Sequence, residues 1–207
     1  AGVSDGQPVP RYRDEPGVQA KSMTETFVAV KVEIDNWRWA GVPFYLRTGK
    51  RMPAKTSEVV IYFKRQPHNL FGDSFANLPP NKLVIRLQPD EGVEVTVMNK
   101  VPGLNTTGSM DLQKSYLNLS FSETFQGERI ADAYEKLLLE VMLGNQALFV
   151  RRDEIEQAWS WVDSIIGAWD SSNEPPESYQ AGTWGPVDSI GLLAKEGRSW
   201  YQSKATK

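Results

Sequence analysis

Apolar and polar residues alternate strictly from Glu25 onward. Val28, Val30, Val32 and Ile34 fall on one side, while Lys31, Glu33 and Asp35 fall on the other. A period of two predicts a strand with one buried and one polar face. The alternation recurs in SEVVIYFK (Ser57–Lys64), KLVIRL (Lys82–Leu87), GVEVTVM (Gly92–Met98) and KSYLNLSF (Lys114–Phe121), with a shorter strand at PFYLR (Pro43–Arg47). Between two of them, Gln88-Pro89-Asp90-Glu91-Gly92 supplies the Pro and Gly of a hairpin turn. Strands this close, with no helix between them, predict antiparallel pairing.

After Phe125 the period becomes helical. Ile130, Ala133, Leu137, Leu138 and Val141 recur at three and four residues. Asp153, with Glu156 three residues on, predicts the capped start of a second helix. Its stripe is Ile155, Ala158, Trp159, Val162, Ile165, Ile166 and Trp169, and Pro175 and Pro176 in SSNEPPES end it. A short helix is expected near Asp188–Lys195. The Pro- and Gly-rich residues 1–22 read as an extended lead-in and residues 23–207 as the folded domain. Strands first and helices afterwards predict an α+β fold, a large and mostly antiparallel sheet with helices packed on one face.

Composition narrows what such a domain can do. The 207 residues are 40% hydrophobic and 24% charged, which suits one large domain or two small ones at about 100–200 residues each. No apolar run approaches the roughly 18 residues of a membrane span. The opening AGVSDGQPVP lacks the apolar core of a signal peptide. With 0 cysteines, disulfides and thiolate chemistry are excluded. A formal net charge of −3 argues against a general nucleic-acid binder. There is 1 histidine and no glycine-rich nucleotide fingerprint, so much ordinary enzyme chemistry lacks its parts.

Charge is most unevenly distributed in YLRTGKRMPAK, where Arg47, Lys50, Arg51 and Lys55 lie close together with no acid among them. Fully extended, Lys50 and Lys55 would stand about 17 Å apart. Gly49 and Pro53 can turn the segment so that both ammonium groups converge on one anion, a role suited to lysine as a mobile point charge. The alternative is a solvated charged loop. A Walker loop is excluded, because Phe44 stands where its first glycine belongs. His68, in RQPHNLF, has no second His or Cys to share a metal and no identifiable triad partners, and reads as an ordinary solvent-facing loop residue. Glu33 and Asp35 share a strand face, as an acid pair or as solvated surface. Trp37 and Trp39 form either a sugar-stacking platform or a packed turn. Trp159 and Trp169 read as core, and Trp184 anchors the tail or lines a partner site.

Several long segments carry a resemblance: ETFVAVKVEIDNWRWAGVPFYLRTGKRMPAK, NKLVIRLQPDEGV, NKVPGL, DAYEKLLLEVMLGNQALFVRRDE, AWSWVDSI and YQAGTWGP. From about Thr24 to Trp200 the chain resembles the C-terminal half of bacterial glucose-6-phosphate dehydrogenase. The resemblance implies a cytoplasmic oxidoreductase of the pentose phosphate pathway that oxidises glucose 6-phosphate to the lactone with NADP. It implies an N-terminal Rossmann domain lying upstream of Ala1, and a C-terminal α+β domain used in forming a homodimer or higher homo-oligomer. Lys50, Lys55 and Gln88 are then substrate-binding residues, and the isolated chain is expected to be inactive. Arg47 and Arg86 are candidates for a second, structural NADP site, although Thr56 and Val60 replace basic residues expected there. His68 does not match the family's catalytic histidine motif. No metal, membrane or nucleic acid is implied. The rival readings are a non-catalytic partner that regulates or assembles a dehydrogenase, and a carbohydrate-binding module built on Trp37 and Trp39.

Overall fold

The computed structural model describes residues 1–4, 6–65, 78–103, 112–127, 129 and 131–202; His68 and Ile130 lie outside them. The fold is α+β. Among the described residues the antiparallel strands divide among three sheets instead of forming one continuous sheet. The lead-in folds into a hairpin of β1 (Gly2–Ser4) and β2 (Gln7–Val9), followed by a short 3-10 turn over Tyr12–Asp14. β3 (Phe27–Val32) and β4 (Phe44–Gly49) form a two-stranded ladder running from Phe27 opposite Gly49 to Val32 opposite Phe44. In their connection, Asn36 Oδ1 accepts from the Arg38 and Trp39 amides at 3.0 and 2.9 Å. This leaves Trp37 fully exposed, while Trp39 packs edge-on against Phe44 with 5.3 Å between ring centroids.

β5 (Ser57–Tyr62), β6 (Lys82–Gln88), β7 (Gly92–Lys100) and β8 (Leu112–Ser120) make a four-stranded meander in sequence order. Register assigns its two faces. Ile61, Leu83, Val95 and Leu117 align across one of them, and Tyr62, Lys82, Thr96 and Tyr116 across the other. The apolar row is open, with Ile61 at 40% and Leu117 at 65% exposure, and further along the same face Ser115 stands opposite Val97 and Gln113 opposite Asn99. The most buried side chain, Val84, lies on the mixed face, where the C-terminal tail packs.

α1 (Phe121–Thr124) is a single turn. α2 (Ala133–Leu143) starts where Asp132 Oδ1 accepts from the Tyr134 amide at 2.8 Å, and it ends on Gly144 in a left-handed conformation. α3 spans Arg152–Ser172. It begins one residue before the expected Asp153, because Glu154 and not Glu156 folds back on the Arg151 amide, at 3.1 Å. Asp153 instead accepts from the Arg151 guanidinium at 3.0 Å, and Glu156 pairs with Arg152. α4 (Val187–Ala194) packs against β3 and buries Leu193. Neither α2 nor α3 has a buried residue. Trp159 and Trp169, expected in the core, are 60% and 41% exposed. Their helical spacing makes a stripe, and no described element covers it.

Candidate functional site

The cation-bearing segment is organised around Phe27. Its ring occupies space that side chains at two glycines would fill. A Cβ at Gly49 would meet the ring at 2.7 Å, and one at Gly185 would meet it at 2.3 Å. Gly185 also has a φ of 106°, which L side chains rarely adopt. The Tyr179 ring packs on Phe27 with 5.6 Å between centroids. Its hydroxyl reaches the main chain beyond, 2.6 Å from the Lys50 carbonyl and 3.1 Å from that of Thr26. The Lys50 amide donates to the same Thr26 carbonyl at 2.8 Å.

Lys50 is followed by Arg51, whose φ of 51° makes the bend. Gly49 was expected to turn here; its role is to admit Phe27. The Arg51 carbonyl accepts from the Gly182 amide at 2.8 Å, and its guanidinium pairs with Glu15 at 3.3 Å. A parallel bridge from Gly2 to Ala181 joins the lead-in to the same tail segment. The loop after β4 is thus held from three distant parts of the chain.

Folding separates the four cations. Arg51 is neutralised by Glu15, and Arg47 turns inward. Lys50 and Lys55 stay exposed, and among the described residues neither ammonium has a hydrogen-bond or ion-pair partner. Ser57, just after Lys55, pairs with Gln88 across β5 and β6. Lys55 and the exposed Gln88 therefore stand at one end of the four-stranded sheet, with Lys50 on the same connection at the end of the two-stranded ladder. Exposed ammonium groups and a carboxamide are the kinds of group that can hold an anion and a neighbouring hydroxyl.

Arg47 ties the tail to this ladder. Its guanidinium lies 4.7 Å from the Trp184 ring and 4.8 Å from the Trp200 ring, and it donates to the Tyr201 carbonyl at 2.8 Å. Burial pushes its pKa down, with Glu58 opposing, and burial pushes the Glu58 carboxyl up, with Arg47 opposing. Lys82 lies 4.3 Å from the Tyr201 ring on the other sheet. Arg86 donates to Asn118 Oδ1 at 2.9 Å, and its buried Nε has no protein partner. A further knot joins Glu196 to Lys31 at 2.7 Å and to the Tyr45 hydroxyl at 2.6 Å. Hydrogen bonds from Lys31 and Tyr45 lower the Glu196 pKa, and those to Glu196 and Glu33 raise that of Lys31.

Sequence reading singled out Lys50, Lys55, Arg47 and Trp184. It missed Glu15 and the contacts that Tyr179 and Trp200 make with the loop and with Arg47. These contacts span long separations and leave no local pattern. Among the described residues no group of three or more His, Cys, Asp or Glu could hold a metal ion, and no helix is long and apolar enough to cross a membrane. Their named strands pair only antiparallel, so no parallel strand–helix–strand unit of the kind that cradles a dinucleotide is present among them.

Together these features define a mixed α+β domain with two exposed lysines on the clamped connection between its sheets. Residues 1–201 match the family described as glucose-6-phosphate dehydrogenase, C-terminal domain, and the chain belongs to that family. It is 60% identical over 202 residues to the glucose-6-phosphate 1-dehydrogenase of Dickeya dadantii (strain 3937), covering 98% of this chain and 41% of the relative. With that of Rhizobium meliloti (strain 1021) the identity is 54%, over 97% of this chain and 40% of the relative. A solved glucose-6-phosphate dehydrogenase in complex with its substrate glucose-6-phosphate aligns with a TM-score of 0.83 and 32% identity, over 97% of this chain and 40% of that one. The crystal structure of the Mycobacterium avium enzyme aligns at 0.75 and 33%, over 100% and 40%. The chain thus spans about two-fifths of the length of these relatives. The family implies a nicotinamide cofactor.

Proposed function

We propose that this chain is the substrate-phosphate-binding and subunit-contact part of a cytoplasmic NADP-dependent glucose-6-phosphate dehydrogenase. The complete enzyme oxidises D-glucose 6-phosphate to 6-phosphoglucono-1,5-lactone in the pentose phosphate pathway. The observation that carries this reading is the Lys50 loop, whose backbone is fixed on both sides while the ammonium stands free at the surface. Lys50 and Lys55 hold the sugar phosphate, and Gln88 hydrogen-bonds a neighbouring oxygen. Binding energy gathered at the phosphate is remote from C1 and orients it for reaction. NADP belongs to the N-terminal part of such an enzyme, so this chain's own work is binding and orientation. Arg47, stacked on indoles and bonded to Tyr201, serves as a tie between the ladder and the tail. Arg86 is likewise bonded within its own sheet. Exposed apolar side chains on the sheet and on α2 and α3 supply surface for homo-oligomer and interdomain contacts.

The test is Lys50→Ala and Lys55→Ala in a full-length dehydrogenase carrying this sequence as its C-terminal part. Losing one charge-assisted contact costs about 1.5–3 kcal/mol, so KM for glucose 6-phosphate should rise by one to two decades. An unchanged KM in both variants removes the phosphate assignment. The 207-residue chain alone should form no NADPH from glucose 6-phosphate, and robust turnover by it would overturn the division of labour.

A further inference from the structure

We propose that Tyr179 is a positioning residue for Lys50, setting through the main chain where the phosphate-binding ammonium begins. The inference rests on the reading that Lys50 holds the sugar phosphate. The regular register of the β3–β4 ladder ends at Phe27 opposite Gly49. Lys50 is the first residue past it, where a strand pair ordinarily frays and the carbonyl loses its ladder partner. Here the ladder is extended by one bond, from the Lys50 amide to the Thr26 carbonyl at 2.8 Å. It is then closed by the Tyr179 hydroxyl, which stands between the Lys50 and Thr26 carbonyls at 2.6 and 3.1 Å.

A phenol has one proton, and two acceptors share it here; the shorter contact is to Lys50. Both polar main-chain groups of Lys50 are therefore engaged. Its neighbour Arg51 is also engaged, through Gly182 of the same tail segment. The side chain is untouched. Lysine has a long, flexible stem, and the reach of its ammonium depends on where its Cα is held. Pinning the backbone before ligand arrives lowers the ordering cost of binding.

Two features separate the hydroxyl from the ring. The ring packs on Phe27, a contact that phenylalanine would keep. The hydroxyl is aimed at the backbone of the one loop that carries the free lysine, from a residue 129 positions further along the chain. Removing only that oxygen tests positioning while preserving the packing.

The experiment compares Tyr179→Phe, Lys50→Ala and the double variant in the full-length dehydrogenase. Its readouts are KM for glucose 6-phosphate, KM for the nicotinamide substrate, kcat, and the inhibition constant of inorganic phosphate. Tyr179→Phe should raise KM for glucose 6-phosphate about three- to tenfold, the worth of one neutral hydrogen bond. The phosphate inhibition constant should rise in parallel, while kcat and the nicotinamide KM hold. In the Lys50→Ala background the same change should add nothing, because the positioned group is gone. If Lys50→Ala raises the KM and Tyr179→Phe does not, the positioning role is overturned and the phosphate reading stands. If Lys50→Ala has no effect, Lys50 does not hold the phosphate and the positioning role falls with it. Equal losses for both substrates, or additive losses in the double variant, identify a merely structural hydroxyl and also overturn the proposal.

Discussion

Around Phe27, small residues, hydroxyls and carbonyls from distant segments meet one another: Gly49, Gly185, the Tyr179 hydroxyl and the Gly182 amide each have an intrachain contact. Along α2 and α3, by contrast, Leu138, Met142 and Trp159 are 64%, 76% and 60% exposed, and no residue of either helix is buried. Leu137, Leu138, Leu139, Val141, Met142 and Leu143 surround α2 with apolar side chains, a pattern ordinarily found in helices enclosed by a larger core. The first region completes itself within these residues, and the second does not. The local pattern was equally clear in both. Helical spacing tells which side chains share a stripe and is silent on what covers it.

Substitutions on the two sides should sharpen the contrast. The largest effect is expected for Gly185→Ala, which drives a methyl into the Phe27 ring at a backbone φ unfavourable to alanine. Urea unfolding should show a loss of about 2–3 kcal/mol. A loss under half a unit would mean that the Phe27 cluster repacks freely. Next comes Arg47→Ala, which removes a cation lying against two indoles. A loss of about 1–2 kcal/mol in the same measurement is expected, with a change in indole fluorescence as Trp184 and Trp200 gain water.

Glu196→Gln gives a pH signature in place of a large energy. The folded pKa of Glu196 lies below its ordinary value, owing to Lys31 and then Tyr45. Its contribution is therefore present above the ordinary carboxylate range and is lost as pH falls through the folded value. Lys31, raised mainly by Glu196 and then Glu33, acts in the opposite direction, contributing below the ordinary lysine range and losing that contribution as pH rises through its folded value. The amide should flatten the acid limb of the midpoint-versus-pH curve, and an unchanged limb would count against the knot. The smallest effect belongs to α3. Trp159→Ser should stay within about 0.5 kcal/mol of the parent chain, while binding of an apolar dye falls. A large loss would show that the stripe is already covered.

Much of the fold was legible because alternation is local. The ladders fall within a few residues of the predicted strands, and the turn at Gln88–Gly92 follows from its Pro and Gly. The four-cation cluster was also visible, and Lys50 and Lys55 were named from it. What could not be read was which cations remain free. Glu15, far upstream, neutralises Arg51, and Trp184 and Trp200, far downstream, take Arg47. Gly49 departs from expectation for a related reason. Sequence shows a residue able to turn, but only packing shows that the missing Cβ makes room for Phe27. Arg51 takes the left-handed turn instead.

The bridge from Gly2 to Ala181 has a practical corollary. Ala181 precedes the glycine whose amide holds the Arg51 carbonyl. A Cβ at Gly2 would lie 2.4 Å from the Ala181 carbonyl oxygen, so that seam accepts no bulk. A substitution at Gly2, remote in sequence, is thus felt in the tail segment that fixes the lysine loop.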